Sequence, residues 1–190
     1  FVNRLTPNFQ AAFKRKHILM LGSLKLYKSP LEFIELTKRL PQFIFVLVIN
    51  DTKENINIFI KEYKINISKN LTIYPQQNDV VPFYNQTSLV LNLSNKKQFV
   101  ETFGLTALEA MSAGLPVIVP TEGGIAEMVV DGENGYKIDV QNLNQIAECI
   151  KTILSDETLY MELAQNALAY SKRFSEAKMV NSIEMILNRK

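Results

Sequence analysis

The residues best suited to chemistry stand in one stretch, Glu101-Thr102-Phe103-Gly104-Leu105-Thr106-Ala107-Leu108-Glu109. Gly104 is expected to open a helix and to let the backbone come close to a ligand. The first-turn amides, Gly104 to Thr106, would stabilise a phosphate through hydrogen bonds and the helix dipole. Glu109 lies one turn into that helix, within reach of a sugar hydroxyl, and Glu101 sits on the loop just before it. A carboxylate repels phosphate, so two of them flanking such a site need other partners. Hydroxyl-rich sugar is the natural one. The spacing alone fits equally well with two solvated surface acids, one of them a favourable first-turn charge.

The elements that must position these residues follow from hydrophobic pattern. After a polar, basic lead-in (Lys14, Arg15, Lys16, His17), residues 18–21 form a short apolar run ending at Gly22, read as a buried strand. Pro30 opens a helical segment, a proline in its favoured first turn. Further strands are expected at 43–49, 71–74, 89–93 and 116–119, with a short extended piece at 136–138. Helical segments are expected at 53–63, 80–85, 105–112, 125–130, 143–154, 157–171 and 175–187, with Asp156 and Ser175 as N-caps. Strands that are apolar throughout and alternate with helices imply a parallel sheet covered on both faces. The expected class is α/β, a Rossmann-like doubly wound domain. Ligands of such sheets bind at the carboxyl ends of strands, which directs attention to the loops after Leu21, Tyr74, Leu93 and Val119.

The 190 residues and 21.7 kDa suit one domain with one core. A composition of 47% hydrophobic and 21% charged residues is globular rather than disordered. A net charge of +2 gives no electrostatic case for a nucleic-acid binder. The single Cys149 excludes an internal disulfide and a cysteine metal cluster; its helical setting reads as a buried reduced thiol, and a cytoplasmic location is expected. No apolar run approaches the roughly 18 to 20 residues of a membrane span. The chain begins at Phe1 without methionine, so a fragment of something longer is expected.

The context ETFGLTALEAMSAGLPVIVP, with Glu101 and Glu109 as E-x7-E, resembles the signature of retaining GT-B glycosyltransferases of the large family 4 group (glycosyl transferases group 1). The downstream TEGGIAEMVVDGENGY resembles that family's continuation, a Gly-Gly loop, a short helix and D-G-x-N-G. The upstream LMLGSLKLYKS resembles its phosphate-contacting segment. Together these motifs cover the chain from about Ile18 onward.

The resemblance implies the C-terminal half of a GT-B fold, residues 1–190 as a nucleotide-sugar donor-binding domain with C-terminal helices at about 156–190, facing an N-terminal acceptor domain. It implies that Glu109 binds the ribose hydroxyls. Glu101 would be the catalytic carboxylate near the donor sugar, orienting hydroxyls or stabilising developing positive charge. The backbone of Phe103, Gly104 and Leu105 would hold the diphosphate, neutralised by Lys28, and the stretch around Gln76 would receive the base. The expected donor is a UDP- or GDP-sugar, with no cofactor and no metal. The leaving phosphate would take the acceptor proton in a retaining transfer to a polysaccharide, lipopolysaccharide or glycolipid. A lipid-linked acceptor would bring the protein to the inner membrane surface.

One departure stands out. The family usually has arginine directly after the first-strand glycine, whereas Gly22 is followed by Ser23; losing a bidentate phosphate clamp weakens donor binding unless Lys25 or another lysine compensates. The glycine that often follows the family lysine is replaced by Ser29. Alternatives are a GT-B sugar-nucleotide epimerase and a non-catalytic nucleotide-sugar-binding domain. A dinucleotide-dependent enzyme is disfavoured because G-x-G-x-x-G is absent. His17 reads as a surface or strand-edge residue, and Lys14 to Lys16, Lys96 and Lys97 as solvated. Gly123 and Gly124 read as permitting tight backbone geometry near the cleft.

Overall fold

The computed structural model describes residues 2–174; the helix expected at 175–187 and its cap Ser175 lie outside the described residues. Strands β1 His17–Gly22, β2 Ile44–Ile49, β3 Leu71–Tyr74, β4 Leu89–Leu91, β5 Val117–Val119 and β6 Gly135–Lys137 alternate with helices. The helices are α1 Phe9–Arg15, α2 Pro30–Arg39, α3 Lys53–Glu62, α4 Val81–Asn85, α5 Leu105–Ser112, α6 Gly124–Glu127, α7 Leu143–Ser155 and α8 Glu157–Ser171. All strand pairs are parallel, and the sheet order is β3-β2-β1-β4-β5-β6. This is the doubly wound order, with its switch point between β1 and β4, where a crevice opens at the carboxyl ends.

The central strands are apolar on both faces because both faces are covered. Ile18, Leu19 and Met20 of β1, all of β4 and all of β5 are at most 2% exposed. The helices that cover them carry their own stop and start signals. Asp156 caps α8 by accepting from the Leu159 amide at 3.0 Å. Asn70 gathers the end of α2, its amide group donating to the carbonyls of Thr37, Leu40 and Phe43 at 2.9–3.2 Å. No helix among the described residues is long and apolar enough to cross a membrane.

Three local readings are corrected. The basic lead-in is not a solvated segment: Asn8 caps α1, which buries Ala12 and Phe13. Lys16 ends that helix at φ 57° and donates to the Leu154 carbonyl at 2.5 Å, its ammonium over the Phe13 ring. His17 is half-buried at the start of a central strand, not on an edge. Burial holds its imidazole below the usual pKa. The helix expected at 125–130 is a single turn. Asn134, itself 1% exposed, donates to the Met128 carbonyl at 3.0 Å and accepts from the Val130 amide at 2.8 Å, drawing that backbone out of helical pairing.

At the amino ends of the strands, Ser88 ties three elements together. Its hydroxyl donates to the Ala12 carbonyl at 2.6 Å and accepts from the His17 amide at 3.0 Å. Its carbonyl accepts from the buried Tyr160 hydroxyl at 2.8 Å. The opposite end of the sheet is left to the loops that form the crevice.

Candidate functional site

Two adjoining cavities of about 380 and 420 Å3 lie at the carboxyl ends of β1 and β4, sharing Leu21, Gly22, Lys28 and Thr106 as walls. The first is closed by Ser94 and residues 101–106. The second is bounded by Ser23, Asn50, Gln77 and Val80.

Residues 101–106 reach this position because their backbone is packed from below. Gly104 takes φ +70° at the N-cap of α5, and a Cβ there would lie 2.4–2.7 Å from the Ile125 side chain. Its missing side chain therefore makes room for α6. A Cβ on Gly124 would sit 1.8 Å from the Thr102 carbonyl oxygen, and one on Gly123 2.3 Å from that of Glu101. The glycine pair thus sets the path of the loop, which is the tight geometry expected of it. The amides of Phe103, Gly104, Leu105 and Thr106 make no hydrogen bond among the described residues, as expected for a first turn. All four residues line the first cavity.

Lys28 enters from the other side, at the end of a single 3-10 turn, Leu26–Lys28. Its ammonium forms an ion pair with Glu101 Oε2, and Ser94 Oγ lies 3.4 Å from the ammonium and 3.3 Å from the carboxylate. The Phe99 ring lies 4.5 Å from Lys28 Nζ and stacks on Tyr27 at 4.8 Å. The two charged side chains are 22% and 15% exposed, so water screens them only partly. Glu101 is therefore not a solvated surface acid. Its partner here is a lysine 73 residues away, on the cavity wall.

Glu109 is held differently. The Tyr84 hydroxyl, on α4, donates to Glu109 Oε2 at 2.7 Å and lies 3.4 Å from the Thr106 carbonyl. Burial raises the Glu109 pKa, and the Tyr84 hydrogen bond opposes that rise. Burial, then the nearby carboxylate, pushes the Tyr84 phenol up. Glu109 is half-buried and lines neither cavity. Tyr84 was not singled out by any sequence pattern; within the short segment 80–85 it reads simply as an apolar position.

The remaining candidates divide. Ser23 lines the second cavity, and Lys25 beside it is exposed. Gln76 is exposed, lines neither cavity and donates its backbone N–H to the Asp51 backbone carbonyl at 2.9 Å; its neighbour Gln77 is the wall residue. Lys96, expected to be solvated, bridges Glu122 at 2.6 Å and Asp139 at 3.4 Å, whereas Lys97 is exposed. Cys149 is half-buried and its thiol is pushed up to about 12, which removes it as a nucleophile. No cluster of three or more His, Cys, Asp or Glu able to hold a metal occurs among the described residues.

The sequence pattern of the family described as Glycosyl transferases group 1 matches residues 4–170. The chain is 30% identical over 142 residues to N-acetyl-alpha-D-glucosaminyl L-malate synthase of Bacillus anthracis, covering 74% of this chain and 36% of that protein. It is 36% identical over 86 residues to an uncharacterized glycosyltransferase of Methanocaldococcus jannaschii, covering 45% and 24%. The chain thus spans about a third or less of the length of these curated relatives. Among solved structures, it resembles the C-terminal domain of the glycosyl transferase group 1 family protein LpcC from Francisella tularensis. That match has a TM-score of 0.71 at 25% identity and covers 94% of this chain and 98% of that one. The fold of Anabaena HepE, solved with UDP and glucose, matches with a TM-score of 0.81 at 22% identity over 100% of this chain and 55% of that one. With its six-stranded parallel sheet in the Rossmann-like form of a GT-B C-terminal domain, the chain belongs to the glycosyl transferases group 1 family.

Proposed function

We propose that this chain is the donor-binding domain of a glycosyltransferase that takes a UDP- or GDP-sugar and works with an acceptor-binding domain. The observation that carries the reading is the convergence on one cavity of a first-turn backbone with unpaired amides, a cation (Lys28) and a carboxylate (Glu101). The amides of Phe103, Gly104 and Leu105, with Lys28, hold the diphosphate. Glu109 accepts from the ribose hydroxyls, and the strand end near Gln76 and Gln77 receives the base. The UDP in the HepE structure is consistent with a uridine donor.

In the transfer, the bond from the anomeric carbon to the diphosphate oxygen breaks and its electron pair stays on the diphosphate. The acceptor oxygen bonds to the anomeric carbon on the same face, and its proton passes to the leaving phosphate. Amides and an ammonium fixed where negative charge develops lower the barrier, each such contact typically by a few kcal/mol. Phosphate competes with Glu101 for Lys28, so donor binding frees the carboxylate for a sugar hydroxyl or for the developing positive charge. This reading needs no metal or cofactor. The acceptor we favour is a polysaccharide, lipopolysaccharide or glycolipid made at the cytoplasmic face of a membrane. Ser23 in the place of the family arginine favours a second reading, a nucleotide-sugar-binding domain that does not catalyse.

Calorimetry with UDP, GDP, ADP and their sugars tests the site. Selective binding is expected, weakened at least tenfold by Lys28→Ala, because a charge-assisted contact contributes about 1.5–3 kcal/mol. Glu109→Ala should weaken it as well. No binding at millimolar concentration, or binding indifferent to both substitutions, rejects the assignment. The domain by itself is expected to bind donor without transferring sugar.

A further inference from the structure

Glu109 carries a flexible side chain half-buried one turn into α5, and a carboxylate in such a place needs something to fix it. The fixed point is on another element. Tyr84 on α4 is 1% exposed, so its ring is locked by the core and its hydroxyl cannot follow a moving partner. That hydroxyl reaches Glu109 Oε2 at 2.7 Å, and the Thr106 carbonyl lies 3.4 Å away on the same helical turn. The second carboxylate oxygen, Oε1, has no hydrogen-bond partner among the described residues. One oxygen is held from within and one is left over.

We propose that Tyr84 is a positioning residue, which pins Glu109 Oε2 so that Oε1 is presented to the vicinal hydroxyls of the ribose of a nucleoside diphosphate. The inference rests on the assignment of Glu109 to the ribose and adds the residue that makes it effective. A carboxylate already oriented loses less side-chain freedom on binding, and that pre-organisation appears as affinity. The ionised form is also the one that a phenol stabilises as donor, and only the ionised form offers both oxygens as acceptors. A merely structural tyrosine would contribute packing and its contact with the Thr106 carbonyl, and losing that contact would affect ribose and dideoxyribose ligands alike.

The test is calorimetry on the whole chain with UDP and GDP, each also as its 2′,3′-dideoxy form. Tyr84→Phe, Glu109→Ala, their double variant and Lys28→Ala are compared with the parent. Tyr84→Phe is expected to weaken the ribonucleotide several-fold, up to roughly tenfold, the cost of ordering one freed carboxylate side chain on binding. The same change should cost nothing further in the Glu109→Ala background and should not alter the already weaker binding of the dideoxy ligand. The ratio of ribo to dideoxy affinity is read within one protein sample, so a partly unfolded variant does not distort it. If the Tyr84→Phe loss persists without Glu109, or equally for the dideoxy ligand, the positioning role is overturned. If Lys28→Ala and Glu109→Ala both leave ribonucleotide binding intact, the donor-site assignment itself falls, and the role of Tyr84 with it.

Discussion

On the β1-β2-β3 side of the sheet the backbone passes through positive φ at Lys16, Ser29 and Lys64; on the β4-β5-β6 side it does so at Gly104, Gly114, Gly123 and Gly132. Six of the seven glycines lie in the second half, and Gly22 alone in the first. Crowding explains the difference at Gly104, Gly114 and Gly123, though not at Gly132, around which nothing lies within 4 Å. Around Gly104, Gly123 and Gly124 an added Cβ would run into Ile125 or a loop carbonyl, whereas at Gly22 its nearest neighbour would be Lys28 Cβ at 3.9 Å. The second half therefore holds its loop at 101–104 by backbone-to-backbone packing. The first half contributes Lys28 from a single 3-10 turn, its ammonium held by Glu101, Ser94 and the Phe99 ring. A loop fixed by its backbone thus faces a cation held through side-chain contacts.

The largest test of this contrast is Gly124→Ala, which cannot be accommodated without moving the loop that bears Glu101. A loss of more than about 3 kcal/mol is expected from urea unfolding, with donor binding abolished. A cost below about 1 kcal/mol would break the comparison. Next is Ser29→Gly. Ser29 holds φ 57° with a fully buried hydroxyl that lacks a hydrogen-bond partner among the described residues. Relieving the left-handed strain and the unpaired hydroxyl outweighs the added freedom of the unfolded chain, so a gain of about 1 kcal/mol is expected. No gain would place the first half under constraints like those of the second.

A third test uses pH. Because burial raises the Glu109 pKa, the folded state holds that proton more tightly than the unfolded chain does. The stability this group contributes is present below the ordinary carboxylate value, about 4.3, and is lost as pH rises through the raised folded value. Glu109→Gln has no such dependence, so the stability of the parent relative to this variant should fall as pH rises from about 4 to 7, read from urea midpoints. A difference that stays constant or grows would mean that the carboxylate is not desolvated by packing. Smallest is Gly22→Ala, expected to shift stability by no more than about 0.5 kcal/mol because nothing crowds that position.

The elements of the sheet were readable because strands buried on both faces are apolar end to end, and β3, α5 and α8 begin and end where the pattern places them. Helix α1 was not, since seven residues with two buried side chains give too little periodicity against a run of three basic residues. The one-turn α6 was overestimated because its end is set by Asn134, six residues past Met128, through a side-chain contact that no local pattern encodes. At the site, the carboxylates and Lys28 could be named in advance, but not their pairing. Glu101 meets Lys28 across 73 residues and Glu109 meets Tyr84 across 25, distances over which a sequence carries no register.

The knot at Ser88 bears on how the chain is made. It joins α1 to α8, and nearby Lys16 closes on the Leu154 carbonyl 138 residues later. A ribosome adding about 5–20 residues per second leaves roughly 7–28 s between those two positions. During that interval Phe13 has no Tyr160 ring to meet, although the two stand 5.3 Å apart in the finished fold. The early residues must therefore wait, apolar and uncovered, for a partner not yet synthesised. Such high contact order slows folding and makes nascent chains depend on protection against aggregation.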